Sequence, residues 1–256
     1  MRSNEPVLTL HGVGKRYYLN FHKPSDLKSA VLHLPSVLAM RGKHPFWALR
    51  DVNLEVRRGE ALGVIGHNGS GKSTLLRLMA GLARPTEGAV RVQGRISPLL
   101  ELGAGFHPQL SGRENLIVNA VLLGLRRREA LERMPEIIAF AELEEFIDQP
   151  MRTYSQGMYM RLGFAVAVHV EPEILLVDEV LAVGDADFQA KCFAHIERLR
   201  AAGVTIVLVS HDLAAVERFC ERAVLLQHGR MAAEGAPREV IDQYLAHGVQ
   251  PSPLAQ

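Results

Sequence analysis

Residues 66–74 read GHNGSGKST, with three glycines set around a single lysine. Gly66, Gly69 and Gly71 let successive backbone N–H groups turn toward one point, which makes an anion-binding nest. His67, Asn68 and Ser70 fill the positions between them, and Thr74 closes the run. The pattern G-x-x-x-x-G-K-[ST] sits between a strand-like ALGVIG and a helix-like STLLRLMAGL, the context its mechanism requires. A helix beginning near Ser73 aims the positive end of its dipole at the same point. Lys72 is then placed to reach the β- and γ-phosphates of a nucleoside triphosphate, and the Ser73 hydroxyl to ligate Mg²⁺.

Two further stretches fit phosphate chemistry. ILLVDE ends an apolar strand on Asp178, a carboxylate that can hold Mg²⁺ through water, and Glu179 follows, able to orient or deprotonate an attacking water. VSHD ends another apolar run at Ser210 and sets His211 just past it, where ligands of open α/β sheets collect. There His211 can donate to a γ-phosphate. No N-K-x-D occurs, which excludes a guanine-reading GTPase. The arginine cluster Arg126 to Arg128 reads as mid-helix, so no arginine-rich kinase lid is expected.

The elements that must hold these residues alternate. Residues 7–10 (VLTL) read as a short strand, and WALRDVNLEV and ALGVIG as two more. A helical stretch runs from about 111 to 170, opened by the capping-box spacing of Ser111 and Glu114, with Leu116, Ala120 and Leu123 on an apolar face. ILLVD and VTIVLVS return to near-continuous apolar runs, as expected of strands covered on both faces by helices. The order is that of an α/β core with a helical lobe inserted.

The chain has 256 residues, 48% apolar and 22% charged, with a net charge of +1, so nothing global points to nucleic acid. Cys192 and Cys220 show no metal or redox spacing and are expected as buried thiols. There is no secretory h-region at the start, and no run approaches the ~18 apolar residues of a spanning helix, so any membrane role comes through a partner. Residues 20–46 interrupt the pattern. They hold Lys23, Lys28, Arg41 and Lys43 against Asp26 alone, and Leu27, Val31 and Leu34 are spaced as a short amphipathic helix ended by Pro35. The segment is either a solvated insertion or a docking element for a membrane surface or partner.

Phosphate loop, DE pair, AVGD and VSHD together resemble the ATP-binding subunits of ABC transporters, and the likeness covers residues 7–245. It implies a P-loop NTPase core of ABC ATPase type, with an antiparallel β portion and an inserted α-helical signature lobe at about 107–170. The single ATPase domain would span 1–246, followed by a flexible tail at 247–256 and no C-terminal carbohydrate-binding domain. In that pattern TYSQGM (153–158) takes the place of the family signature, with Ser155 and Gly157 matching and Tyr154, Gln156 and Met158 departing from its common spelling. A hydroxyl and bare N–H groups at a helix N-terminus are what a γ-phosphate needs, and Ser155 with Gly157 supplies them. Ser155, or Thr153 with Gln156, also reads as a plain helix cap, and the two roles are compatible. Arg161 matches the basic residue usual after the signature.

By the same resemblance, two copies pair head to tail, the Ser155–Gln156–Gly157 stretch of each sealing the other's ATP, with Asp185 at that interface. Tyr17 matches the aromatic that stacks on adenine, with Tyr18 as its rival. The usual Q-loop glutamine is missing, and Glu101 or Leu102 stands there; Glu101 is the one that could bind Mg²⁺. The spelling YSQGM, LLELGAGFHPQLSGREN, DEVLAVGD and the gate-like insertion at 20–46 are similar to the polysaccharide-export branch, which moves O-antigen, capsule or teichoic acid polymers. That implies an ATPase at the cytoplasmic membrane face, a transmembrane permease partner, and a lipid-linked glycan as indirect partner. The alternatives are an ABC transporter ATPase for a drug or metabolite, and a soluble ABC ATPase.

Overall fold

The computed structural model describes residues 5–19, 44–100, 102–178 and 184–247. The predicted helix within 20–46, Glu101, Glu179, most of the AVGD approach and the tail lie outside these residues. The first strand, β1 (Pro6–Leu19), is far longer than the four residues the apolar pattern marks. It pairs along its length with β2 (His44–Arg57), where Arg16 meets Trp47 and Tyr17 meets Phe46. Irregular register near Gly12 and Gly14 bends the strand and lets the pairing run on through KRYY. With β4 (Glu87–Val92) these form a three-stranded antiparallel sheet in the order β2-β1-β4.

The second sheet carries the chemistry. Strands β3 (Ala61–Ile65), β5 (Ile96–Leu99), β6 (Ile174–Val177), β7 (Thr205–Val209), β8 (Arg222–Gln227) and β9 (Arg230–Gly235) lie in the order β5-β6-β7-β3-β8-β9. All neighbours are parallel except β8 and β9. Alternate residues serve two cores. Ile65, Leu175, Val177, Ile206, Leu208 and Leu225 face one, and Leu62, Val64, Ile174, Leu176, Val207 and Val209 the other. A sheet covered on both faces calls for apolar residues on both sides of its central strands, which is why β3, β6 and β7 read as near-unbroken apolar runs.

Helix α1 (Lys72–Met79) follows β3 and packs in the second core through Leu75, Leu76, Leu78 and Met79. The predicted helical stretch is three helices: α2 (Gly112–Leu122), α3 (Arg127–Ala141) and α4 (Gln156–His169), the last preceded by a 3₁₀ turn (Met151–Thr153). The capping box opens α2 as expected: Ser111 Oγ accepts from the Glu114 N–H at 3.2 Å, and Glu114 accepts from the Ser111 N–H at 2.8 Å. The arginine cluster is not mid-helix. Gly124, at φ 102°, turns the chain after α2, so Arg126 is the N-cap of α3 and pairs with Glu129. The remaining helices among the described residues are α5 (Ala186–Ala201), α6 (Leu213–Phe219) and α7 (Pro237–His247). Cys192 and Cys220 are buried thiols, and burial pushes both up to about 12.

Phe164 ties the lobe to the sheet. It is fully buried on α4, with its ring 6.1 Å from Phe140 of α3 and 6.3 Å from Phe188 of α5. Phe164→Ala should therefore lower unfolding free energy by about 3–5 kcal/mol, read from urea denaturation. A loss under ~1 kcal/mol would mean that the three rings do not act as one cluster.

Candidate functional site

Three loops leave the carboxyl edge of the parallel sheet side by side. Val64 pairs with Val209 and Val177 with Leu208, so the ends of β3, β7 and β6 are level. Neighbouring strands lie ~4.8 Å apart. The phosphate loop after β3, Ser210–His211 after β7 and Asp178 after β6 therefore emerge within about 10 Å of one another along the edge. The Ser210 Oγ accepts from the Asp212 N–H at 3.0 Å, and Asp212 caps α6 by accepting from the Ala215 N–H at 3.1 Å. These two contacts fix the turn and leave His211 exposed between them.

The loop closes around its lysine. Lys72 Nζ donates to the Gly66 carbonyl at 2.7 Å and the His67 carbonyl at 3.2 Å, and the side chain is buried. An ammonium has three protons, so one remains for an anion held in the cradle. Gly71 has φ 108° and Gly69 φ 80°, both left-handed. A Cβ on Gly71 would lie 2.6 Å from the Ala48 carbonyl, whereas one on Gly69 would meet nothing within 4 Å. Backbone shape alone demands glycine at 69, and packing demands it again at 71. The Ser70 hydroxyl is buried, with no hydrogen-bond partner among the described residues. Ser73 and Asn68 are exposed at the mouth, Thr74 is half-buried on the first turn of α1, and Asp178 is half-buried across from them. A buried cation, a Cβ-free wall and an orphan hydroxyl fit a phosphate chain. Ser73 and Asp178 add an oxygen-only donor pair.

TYSQGM forms a second, separate place. Ser155 caps α4, its Oγ accepting from the Met158 N–H at 3.2 Å, while Thr153 turns back to the Pro150 carbonyl at 2.7 Å. Ser155, Gln156 and Gly157 line an open groove of about 620 Å³ together with Arg161, Gly184 and Asp185. Arg161 donates to Asp185 at 2.6 Å and to Glu142 at 2.8 Å, and Lys191 donates to Glu142 at 2.8 Å. Hydrogen bonding from Lys191 first, and then the charges of Lys191 and Arg161, hold the Glu142 carboxyl below its ordinary 4.5. The Phe188 N–H, then Arg161, hold Asp185 below 3.8. This groove shares no lining residue with the phosphate loop.

Tyr17 and Tyr18 stand on the antiparallel sheet, 38% and 49% exposed, with Lys15 over one ring and Arg16 over the other. Successive strand residues face opposite sides, so only one of the two can face a nucleotide. Three supports escape the sequence. Glu142 and Lys191 belong to no motif. The Tyr244 ring of α7 lies 4.8 Å from the His67 ring although 177 residues separate them. Tyr159 donates to the Gly103 carbonyl at 2.8 Å, tying α4 to the loop after β5. Its place directly after TYSQGM is the one signal among these that was visible.

The sequence pattern of the ABC transporter family matches residues 49–182, from β2 to just past the DE pair. The chain belongs to the ABC transporter family. As an ABC cassette it is an ATP-binding ATPase. It is 48% identical over 240 residues to the O-antigen export system ATP-binding protein RfbB of Klebsiella pneumoniae, covering 94% of this chain and 98% of that one. It is 41% identical over 232 residues to the teichoic acids export ATP-binding protein TagH of Listeria monocytogenes, covering 91% of this chain and 68% of that one. Among solved structures it is similar to an ATP-binding cassette captured as a dimer in a post-hydrolysis state with ADP and Pi. The TM-score there is 0.70 at 25% identity, covering 90% of this chain and 99% of that one.

The ion pairs of this ABC cassette's groove give a pH dependence with a definite sign. A carboxylate with a depressed pKa contributes stability that is full above its ordinary value and is lost as pH falls through the lowered one. Between about pH 6 and about pH 3 the parent should therefore lose slightly more stability than Glu142→Gln, since solvent screens the half-exposed carboxylate, read as the urea midpoint. Equal losses would show that Glu142 is not held charged by Lys191 and Arg161.

Proposed function

We propose that the chain is the ATP-hydrolysing subunit of an exporter that moves a lipid-linked polysaccharide across the cytoplasmic membrane. The polymer is of O-antigen, capsule or teichoic acid type, and it passes through a separate transmembrane permease subunit. The observation that carries this reading is 48% identity along 98% of an O-antigen export ATP-binding protein. No helix among the described residues is long and apolar enough to cross a membrane. The subunit works at the cytoplasmic face, held there by the permease, with the basic segment 20–46 as its docking element.

Two copies pair head to tail. What supports this is the separation, on one chain, of the phosphate loop from the Ser155–Gly157 groove, together with a dimeric structural relative. Lys72 and the N–H groups of residues 66–74 hold the phosphates. Tyr17 stacks on the adenine. Ser155, Gln156 and Gly157 of the second copy close over the γ-phosphate, with Asp185 beside them at the interface. Glu179 orients and deprotonates the attacking water, and His211 donates to the γ-phosphate. Ser73, Asp178 and Glu101 offer only oxygen, the donor set of Mg²⁺, which when bound neutralises charge on the β- and γ-oxygens.

Lys72→Ala should weaken ATP binding by about 1.5–3 kcal/mol, roughly 10- to 150-fold. Glu179→Gln should stop turnover, read as phosphate release, while retaining ATP in a dimer, and Ser155→Arg should block that dimer with monomer binding intact; equilibrium binding and light scattering read the binding and the dimer. Hydrolysis at the parent rate in Glu179→Gln removes Glu179 as base, and normal closure in Ser155→Arg returns TYSQGM to a plain helix cap. Cargo is tested by deleting the gene and extracting lipid-linked glycan. Accumulation on the cytoplasmic side is expected, and its absence would assign another cargo.

A further inference from the structure

Glu142 and Lys191 complete an alternating chain of charges that ends on Asp185. Lys191 Nζ donates to the Phe140 carbonyl at 2.9 Å and to Glu142 Oε1 at 2.8 Å. Glu142 Oε2 accepts from Arg161 Nη1 at 2.8 Å, and Arg161 Nη2 donates to Asp185 Oδ2 at 2.6 Å. The other Asp185 oxygen accepts the Phe188 N–H at 2.9 Å. The links join three helices: Lys191 lies on α5, Glu142 at the left-handed end of α3, Arg161 on α4 and Asp185 at the start of α5.

Arg161 lies four residues after Gly157 on α4, so the two share one helix face. Its guanidinium sits 4.7 Å from the Phe188 ring centre, and its side chain is only 18% exposed. Glu142 is half exposed, and exposed ion pairs add little to folding. Its consequence is geometric instead: it is the second anchor that aims the Arg161 fork at Asp185.

We infer that Glu142 is a positioning residue for ATP-driven closure of the dimer. Through Arg161 it locks Asp185, the N-cap of α5, to α4, so that both present one rigid face to the second copy. This rests on the head-to-tail reading above.

The test uses the full chain in the Glu179→Gln background with ATP and Mg²⁺, reading dimer association by analytical ultracentrifugation and monomer ATP affinity separately. Glu142→Ala should weaken association roughly tenfold with monomer affinity unchanged within about twofold. The near-isosteric Glu142→Gln should lie between it and the parent. In an Arg161→Ala background, Glu142→Ala should add no further loss. Association equal to the parent, or a loss that adds in full to that of Arg161→Ala, overturns the inference and leaves the head-to-tail reading standing. An ATP-loaded parent that stays monomeric overturns both.

Discussion

Strand β3 is hydrogen-bonded to β7 on one side and β8 on the other, and both pairings are parallel. That pairing is the constraint on which the rest depends. It asks for apolar residues on both faces of the central strands, it is covered by helices on one face and by α1 with the antiparallel sheet on the other, and it delivers successive loops to one edge. The glycine-rich turn, the Asp178 carboxylate and the His211 turn are far apart in sequence. They are brought level because the strands before them are in register. At that edge the loop turns its own carbonyls onto Lys72 and so holds the ammonium in place.

The lobe answers a different requirement. Its helices bury Phe164 between Phe140 and Phe188, which fixes α4 against α3 and α5. That packing puts the start of α4 and the Asp185 loop into one groove. A chain built this way has one place where a buried lysine sits in a glycine-rich turn, and another where a serine hydroxyl caps a helix start. Pairing two copies head to tail makes both places useful.

Local rules made much of this legible. The phosphate loop could be read because backbone conformation demands glycine at 69 and 71. The capping box of α2 and the cap at Ser155 could be read because each contact spans three residues. The buried strands announced themselves by apolar runs. Long-range pairing was not legible. The extension of β1 through Tyr18 depends on its partner strand, and the break before Arg126 depends on a single glycine with φ 102°. Glu142 with Lys191 and Tyr244 with His67 meet across 49 and 177 residues, and no local pattern encodes such contacts.

The central claim is that Ser155 of one copy faces the phosphate loop of another. Disulfide cross-linking between a Ser155→Cys copy and an Asn68→Cys copy tests it directly, because Cys192 and Cys220 are buried and stay out of the reaction. The account predicts a bond between the two different copies that forms with ATP and is lost without it. A bond joining two Ser155→Cys copies, or none with ATP present, would contradict it.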